Sequence, residues 1–325
     1  MKKYLITGFS GFVARHFVEY LEDNETMCSV KGLDIREPEF RFEHYKNVKI
    51  SFEKIDLLSK DQVEYIIHEF QPDYILHLAS YSSVAFSWQE PVQSFQNNTN
   101  IFLNLVDAVR KLNTDIRILS IGSSEEYGNV SNKDLPLKED HTVNPVSPYA
   151  VARVSQEYLS KVYVTGYGMD IVLTRSFNHI GPMQKTVFFV PSMAKQLVEL
   201  KQSGKNSGDV VTGDISIVRD FTDVRDVVSA YYLLLKAGKK GNIYNVCSGA
   251  GLSLKDIIRL ISKQLDIEVN IKVDPRLIRP SDNKKIIGSN EKIKRELSWT
   301  NVVPLEQSLK DIIQYWQENS INDRV

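Results

Sequence analysis

The stretch Tyr4-Leu5-Ile6-Thr7-Gly8-Phe9-Ser10-Gly11-Phe12-Val13-Ala14 decides the fold of this 325-residue chain. Its first four residues are typical of a buried strand, and a helical pattern follows from Phe12 to Glu22. Glycines between a strand and a helix let the backbone approach a pyrophosphate, which the free N–H groups of the helix start can bind. The turn therefore predicts a dinucleotide site lined by Gly8, Ser10, Gly11, Phe12 and Val13.

An acidic residue follows at the distance that such a site requires. Asp34 ends the second predicted strand, Ser29 to Asp34. A carboxylate there accepts hydrogen bonds from ribose hydroxyls and repels a 2′-phosphate, which favours NAD over NADP. Arg36 keeps NADP open as the alternative. Asp56-Leu57, after a third strand, either flanks the adenine or only ends that strand.

Strand-like and helical patterns alternate through the first half of the chain. Ser147 is the expected cap of a helix that has Pro148 in its first turn. The alternation predicts an α/β fold, a Rossmann-type doubly wound parallel sheet with helices on both faces. The further predicted elements are the strands Tyr74–Leu78, Ile116–Ile121 and Ile171–Arg175 and the helices Asp61–Phe70, Phe95–Leu112 and Pro148–Tyr163.

The alternation breaks after about residue 176. We expect residues 1–176 to form the NAD(P)-binding domain. Residues 214–250 are expected to return to it, because Ile243–Val246 is again typical of a strand. Residues 177–213 and 251–325 are expected to form a smaller α/β part that binds the substrate.

The composition excludes several classes of protein. With 40 basic and 41 acidic residues the net charge is -1, so no bulk field attracts nucleic acid or an anionic membrane. No apolar run has the length of a membrane span or of a signal peptide. Cys28 and Cys247 fit free thiols in a reducing compartment, and the six histidines lack metal-ligand spacing. We expect a cytoplasmic protein without a metal site.

Two short segments, which begin at positions 122 and 147, carry groups suited to proton and hydride transfer. They supply the Ser123 hydroxyl, the Glu125 carboxylate, the Tyr149 phenol and, one helical turn later, the Arg153 cation. A phenol titrates near pH 10, and a nearby cation favours the phenolate. We predict that Tyr149 takes a proton from a sugar hydroxyl while hydride leaves the same carbon. The alternative for Ser123 to Glu125 is a polar turn at a strand end.

These residues resemble the extended short-chain dehydrogenase/reductases that act on nucleotide-linked sugars. The likeness runs from the glycine turn to about Trp316 and includes His77-Leu78-Ala79-Ser80 and Arg219-Asp220-Phe221. Within that family the chain is most similar to the GDP-mannose 4,6-dehydratase and GDP-4-keto-6-deoxymannose reductase branch. The stretches that carry this similarity are Ser82-Ser83-Val84, Ser87-Trp88, Arg175 to Pro182 and Arg279 to Asp282. The resemblance implies a nucleotide-sugar enzyme of deoxysugar and cell-surface polysaccharide synthesis.

The resemblance also implies a role for each matching residue. Tyr149 is the base for the sugar 4-hydroxyl, Ser123 bonds the same oxygen, and Glu125 takes the C5 proton. Asn178 contacts a phosphate, and Arg219 and Arg279 bind the pyrophosphate or ribose of the sugar nucleotide. The other residues expected at the cofactor are Leu78, Ala79, Ser80 and Asn98, and Asn98 is expected to fix the cation at position 153 through its backbone. Those expected at the substrate are Ser82, Ser124, Val190 and Lys195.

One position departs from the family pattern. The family carries lysine four residues after the tyrosine, whereas this chain has Arg153. A guanidinium keeps the positive charge but also keeps its proton, which makes it a poor member of a proton relay. By resemblance, the helices Phe95–Leu112 and Pro148–Tyr163 form a homodimer through a four-helix bundle, or part of a tetramer.

Three functions remain open at this point. A GDP-sugar 4,6-dehydratase, which we favour, needs Glu125 and a tightly bound NAD to make a 4-keto-6-deoxy sugar. A 4-keto reductase needs only Tyr149, Ser123 and fresh reduced cofactor, often NADPH. A catalytically silent nucleotide-binding protein would need none of these groups. The sequence leaves mannose, an N-acetylhexosamine and a heptose open as the sugar.

Overall fold

The computed structural model describes residues 1–112, 115–278 and 283–319. The strands are β1 (Lys2–Thr7), β2 (Cys28–Asp34), β3 (Val48–Lys54), β4 (Tyr74–His77), β5 (Arg117–Ser123), β6 (Asp170–Ser176), β7 (Asn178–Ile180), β8 (Ser207–Thr212), β9 (Val218–Asp223), β10 (Ile243–Val246), β11 (Gly251–Ser253), β12 (Glu268–Val273) and β13 (Lys285–Ile286). The helices are α1 (Phe12–Asn24), α2 (Lys60–Phe70), α3 (Val84–Gln89), α4 (Pro91–Leu112), α5 (Pro148–Tyr167), α6 (Phe189–Gln202), α7 (Val224–Ala237), α8 (Leu254–Leu265), α9 (Glu291–Leu297) and α10 (Leu305–Asn319).

Seven parallel strands form the main sheet, in the order β10-β6-β5-β4-β1-β2-β3. The chain starts in the middle at β1, adds β2 and β3 on one side, and then returns to place β4 on the other side. The strand order therefore reverses at β1, where a crevice opens beyond the carboxyl ends of the strands. The predicted Rossmann-type α/β fold is confirmed.

Apolar side chains leave both faces of this sheet, because successive residues of a strand point to opposite sides. On one face, the fully buried Tyr4 packs in a cluster with Phe17 of α1 and Leu234 of α7. On the other face, Leu5 packs with Phe102 of α4. Burial of each large apolar side chain contributes roughly 1.5–3 kcal/mol, so β1 is held firmly between two helical layers.

The second part of the molecule is built around two smaller sheets. Strand β9 pairs with β7, β11 and β13, and β8 pairs with β12. Helices α6, α8 and α10 pack together on a separate apolar core that includes Leu197, Ile258 and Ile312. Within the segment 214–250, β10 joins the main sheet, whereas β9 joins the sheet that contains β7, β11 and β13. The division into cofactor and substrate parts stays a proposal.

Three further features bear on the expectations from composition. Cys28 and Cys247 are both buried and unbridged, as predicted. Within the ranges described, none of the helices combines the length and the apolar character of a membrane span. The same part of the chain holds no cluster of three or more His, Cys, Asp and Glu side chains placed to bind a metal ion.

Candidate active site

The glycine turn brings β1 and α1 against the backbone that follows β4. Gly8 has a φ of +71°, and a Cβ at this position would lie 2.7 Å from the backbone nitrogen of Ala79. Glycine is therefore required both for the conformation and for the close approach. Gly11 begins α1 without a capping side chain, so the first N–H groups of the helix face the crevice. This cradle fits a dinucleotide pyrophosphate.

The Asp34 carboxylate is oriented before any ligand binds. Its Oδ2 accepts the Ser10 N–H at 3.0 Å, and its Oδ1 accepts the Arg36 N–H at 3.1 Å. The Ser10 hydroxyl donates to the Arg36 carbonyl at 2.6 Å, while the Arg36 side chain is exposed. A carboxylate fixed in this way at the end of β2 fits the hydroxyls of an adenosine ribose.

Tyr149 and Arg153 lie one turn apart on α5 and are in contact. Arg153 Nε donates to the Tyr149 hydroxyl at 3.2 Å, and its Nη2 donates to Ser80 Oγ at 2.5 Å. Its Nη1 donates to the Ile121 carbonyl at 3.0 Å and to Gln156 Oε1 at 2.7 Å. Arg153 is 5 % exposed. A buried guanidinium is therefore in direct contact with the phenol oxygen.

The helix that carries this pair begins where the sequence predicts. The Ser147 hydroxyl accepts the Ala150 N–H at 3.1 Å, and Pro148 occupies the first turn. Because the cap fixes the start of α5, it also fixes the direction of the Tyr149 side chain two residues later.

Ser123 and Glu125 lie on a tight turn at the end of β5. The Ser123 hydroxyl accepts the Glu125 N–H at 3.2 Å, and its own N–H donates to Glu126 Oε1 at 2.7 Å. Glu125 Oε1 lies 3.9 Å from Arg219 Nη2, and Asn283 Nδ2 donates to Glu125 Oε2 at 3.5 Å. The Glu125 side chain is 14 % exposed, so its carboxylate is open to the crevice while these neighbours restrain it.

Two buried carboxyl groups interact at that turn: Glu126 belongs to the turn, and Glu157 lies on α5. Burial, followed by the charge of Glu157, raises the pKa of Glu126 well above its usual range. Burial alone would also raise the pKa of Glu157, but hydrogen bonds from Arg175 at 2.9 and 3.0 Å and from Lys161 at 2.7 Å lower it. The protonated form is therefore favoured at Glu126 and the carboxylate at Glu157.

The end of the crevice away from the glycine turn is formed by the smaller sheet and α6. Arg219 is 4 % exposed, and its Nη1 donates to the Asn283 carbonyl at 2.6 Å. The Lys195 ammonium lies 5.1 Å from the centre of the Trp316 ring. A cavity of about 1140 Å³ joins these residues to the glycine turn, which is enough room for two nucleotides side by side.

The structure brings almost all of the predicted residues to this one cavity. The predicted residues that line it are Gly8, Ser10, Gly11, Phe12, Val13, Asp34, Arg36, Asp56, Leu57, Leu78, Ala79, Ser80, Ser82, Ser123, Ser124, Glu125, Tyr149, Arg153, Asn178, Val190, Lys195 and Arg219. Arg279 lies outside the described residues. Their chemical roles stay predictions.

Asn98 is placed differently from the residues that line the cavity. It is 1 % exposed, and its amide accepts the Tyr81 N–H at 2.7 Å and donates to the Tyr81 carbonyl at 3.1 Å. Its side chain thus orders the loop after β4. Across the described ranges, the bonds of the Arg153 guanidinium go to Tyr149, Ser80, Ile121 and Gln156, and none joins it to Asn98.

Sequence reasoning missed two groups of residues at the site. Tyr315, Trp316 and Asn319, near the end of α10, line the cavity although they belong to the last described helix. Their local pattern is that of an ordinary amphipathic helix, so no signal in the sequence singles them out. Gln156, which contacts Arg153, was missed because its other partners lie on β5.

Comparison with known proteins agrees with this geometry. The model of the GDP-mannose 4,6 dehydratase family matches residues 5–312. The GDP-6-deoxy-D-mannose reductase of Pseudomonas aeruginosa is 32% identical over 316 residues, which are 97% of this chain and 97% of the relative.

Solved structures give the same result. The Pseudomonas aeruginosa RMD, complexed with NADPH, has a TM-score of 0.83 at 31% identity and covers 98% of this chain and 99% of its own. The UDP-glucose 4-epimerase of Thermus thermophilus, complexed with NAD, has a TM-score of 0.83 at 26% identity with the same coverage. The chain therefore belongs to the GDP-mannose 4,6-dehydratase family, within the NAD(P)-dependent extended short-chain dehydrogenase/reductases.

Proposed function

We propose that this protein is a GDP-sugar 4,6-dehydratase that makes a 4-keto-6-deoxy sugar with a tightly bound NAD. The observation that carries the proposal is that the Glu125 carboxylate lines the same cavity as Ser123 and Tyr149. Oxidation at C4 needs a hydroxyl and a base, but the loss of water across C5 and C6 needs a further acid–base group. Glu125 is that group.

Tyr149 takes the proton of the sugar 4-hydroxyl. The Arg153 guanidinium, 3.2 Å from the phenol oxygen, stabilises the anion that makes this transfer possible. Ser123 donates a hydrogen bond to the same sugar oxygen and so fixes its position. NAD, which Gly8, Asp34 and Ser80 would help to hold, would supply the hydride chemistry at C4 and C6 when bound.

Glu125 takes the C5 proton, which the new C4 ketone makes acidic, and passes it to the C6 hydroxyl, which leaves as water. When hydride returns to C6, C5 takes up one proton, and the proton that Tyr149 removed from the 4-hydroxyl supplies it. Its neighbours Arg219 and Asn283 restrain the carboxylate on the side away from β5. A group that accepts a proton and donates it again within one cycle ends the cycle unchanged. The reaction then consumes no cofactor.

The diphosphate of the sugar nucleotide is held by Asn178, Arg219 and Arg279. The buried Arg219 supports this proposal because a fixed guanidinium matches phosphate geometry. Ser82, Ser124, Val190 and Lys195 complete the substrate site. A GDP-linked substrate is supported by the family match and by the name of the 32% identical relative.

The preference for NAD rests on Asp34. Its carboxylate, held by the N–H groups of Ser10 and Arg36, occupies the position where a 2′-phosphate would bring like charge. The remaining cofactor contacts that we propose are those of Phe12, Val13, Asp56, Leu57, Leu78, Ala79 and Ser80. NADP is the second choice, supported by the NADPH complex of the Pseudomonas aeruginosa protein.

A 4-keto reductase is the second candidate function. The observation that favours it is the 32% identity to a GDP-6-deoxy-D-mannose reductase over 97% of both chains. In that reaction Tyr149 and Ser123 would deliver a proton to the 4-keto oxygen, and Glu125 would have no chemical step.

Incubation of the purified protein with GDP-mannose and no added reductant tests the proposal. A dehydratase forms a product that has lost one water, and it carries NAD(H) at near one equivalent after denaturation and chromatography. A reductase is silent under these conditions and needs NADPH together with a 4-keto-6-deoxy GDP-sugar. Absence of turnover in both assays contradicts both candidates.

We propose further that the protein is a cytoplasmic homodimer formed through α4 and α5, or a tetramer that contains this dimer. The support is a set of apolar side chains that these two helices leave exposed, from 36 to 66%: Val92, Phe95, Leu103, Val151, Tyr158 and Val162. A molar mass of one 37.2 kDa chain in light scattering would contradict the proposal.

A further inference from the structure

Behind Arg153 lies a buried polar network that links α5 to β5. Gln156 Oε1 accepts a hydrogen bond from Arg153 Nη1 at 2.7 Å. Its Nε2 donates to Ser120 Oγ at 2.9 Å and to the Ile121 carbonyl at 3.1 Å. The Ser160 hydroxyl donates to the Gln156 backbone carbonyl at 2.8 Å and lies 3.1 Å from Ser120 Oγ. Gln156, Ser120 and Ser160 are 1, 2 and 0 % exposed, so water cannot replace these bonds without opening the interface.

The orientation of the Gln156 amide is fixed by its neighbours. A guanidinium only donates hydrogen bonds, so the amide oxygen must face Arg153 and the amide nitrogen must face β5. An aliphatic side chain would leave one N–H of Arg153 without its acceptor. A glutamate would accept from Arg153 but could not donate to β5. Glutamine therefore matches both sides of this contact.

The network also sets the distance between the two halves of the site. The Ile121 carbonyl accepts from both Arg153 Nη1 at 3.0 Å and Gln156 Nε2 at 3.1 Å. Ile121 belongs to β5, two residues before Ser123. Through this carbonyl, the guanidinium beside Tyr149 is tied to the strand that carries the other hydroxyl of the site.

An arginine at position 153 needs more hydrogen-bond acceptors around it than a lysine would. The bonds described above occupy the Nε hydrogen and both Nη1 hydrogens of Arg153, and one hydrogen of Nη2 bonds to Ser80. A lysine has three donors on one nitrogen and no planar fork. The contact with Gln156 thus depends on the guanidinium and would not be reproduced by an ammonium.

We propose that Gln156 is a positioning residue, which holds the guanidinium of Arg153 against the Tyr149 hydroxyl and allows an arginine to serve at position 153. This inference rests on the roles proposed above for Tyr149 and Arg153. A glutamine that only stabilised the fold would have the same effect whichever residue stands at 153. A positioning glutamine has its effect on activity only while residue 153 is arginine.

A double-mutant cycle separates the two cases. Gln156→Met, which keeps the length of the side chain and removes its polar atoms, is combined with Arg153→Lys. We expect Gln156→Met to lower kcat by roughly 10- to 100-fold in the wild-type background, with KM changed less than about threefold, because misplacement of a catalytic group by about 1 Å can cost that much. In the Arg153→Lys background we expect less than about threefold in kcat.

Two controls keep the result interpretable. Gln264→Leu, on the exposed face of α8, should change kcat less than about twofold, since surface substitutions have small effects. Ser160→Ala removes only the outer end of the network and should fold even where Gln156→Met does not. We then expect Ser160→Ala to lower kcat in the wild-type background but not in the Arg153→Lys background.

Equal losses of kcat in the two backgrounds, or a Gln156→Met enzyme within about twofold of wild type, would overturn the proposal. NADH affinity, measured by fluorescence without any sugar substrate, is a second readout. We expect Gln156→Met to weaken it about three- to tenfold only with Arg153, which corresponds to loss of one hydrogen bond. If neither sugar substrate is turned over but this pattern holds, the proposed function fails and the positioning role stands.

Discussion

Replacement of Tyr149 by phenylalanine is expected to lower turnover by roughly 10²- to 10⁴-fold, the range of a lost acid–base group. The residue is 7 % exposed, so phenylalanine keeps its packing and deletes only the oxygen that faces Arg153 Nε. Steady-state rates with the GDP-sugar substrate measure the effect. The melting temperature and the amount of bound NAD(H) should stay close to those of the wild type.

Tyr65→Phe is the matched control for this substitution. Tyr65 lies on α2, outside the proposed dimer surface, and is 65% exposed, so the same deletion of one oxygen should leave turnover unchanged. A Tyr149→Phe enzyme that keeps a third or more of the wild-type rate would remove Tyr149 from the chemistry and, with it, the case for Arg153.

Glu125→Gln is the second substitution with a large expected effect, and it distinguishes the two candidate functions. Glutamine keeps the size of the side chain but cannot take the C5 proton. We expect dehydration to fall by roughly 10²- to 10⁴-fold. Oxidation at C4 needs only Ser123, Tyr149 and the cofactor, so the variant should stall after that step. Reduced nicotinamide should then accumulate when GDP-sugar is added, and its absorbance should rise.

The reductase function gives the opposite result at this position. If NADPH-dependent reduction of a 4-keto GDP-sugar is the main activity and Glu125→Gln leaves it within a few-fold of wild type, the second candidate is correct. Glu291→Gln, whose side chain is 74% exposed, controls for loss of a negative charge.

The sequence predicts the sheet and most of the site because both depend on local patterns. The turn from β1 through Gly8 and Gly11 into α1 is determined by residues that are adjacent in the sequence. The residues after β4, β5 and β6 were grouped correctly because the carboxyl ends of parallel strands meet at one edge of a sheet. The distance between Tyr149 and Arg153 follows from one turn of helix.

What the sequence does not predict depends on contacts between distant segments. Trp316 reaches the cavity because α10 packs against α6 and α8, and nothing near Trp316 records that packing. The polar stretch Gln202–Asp209 predicts a loop, but β8 begins within it at Ser207 and pairs with β12. One difference is local instead: helix α4 starts at Pro91 rather than at Phe95, and proline at a first helical turn is a signal that the sequence does contain.

The carboxyl pair of Glu126 and Glu157 makes the stability of the folded protein depend on pH. The pKa of Glu126 is raised in the folded protein. Above about pH 4.3 the unfolded chain has released the proton of this side chain, whereas the native chain still holds it. The free energy of unfolding therefore falls as the pH rises from about 4.3 to the native pKa of Glu126. Glu157, whose pKa is lowered, loses its contribution only on strong acidification. Mildly acidic buffers should therefore stabilise the turn after Ser123 most.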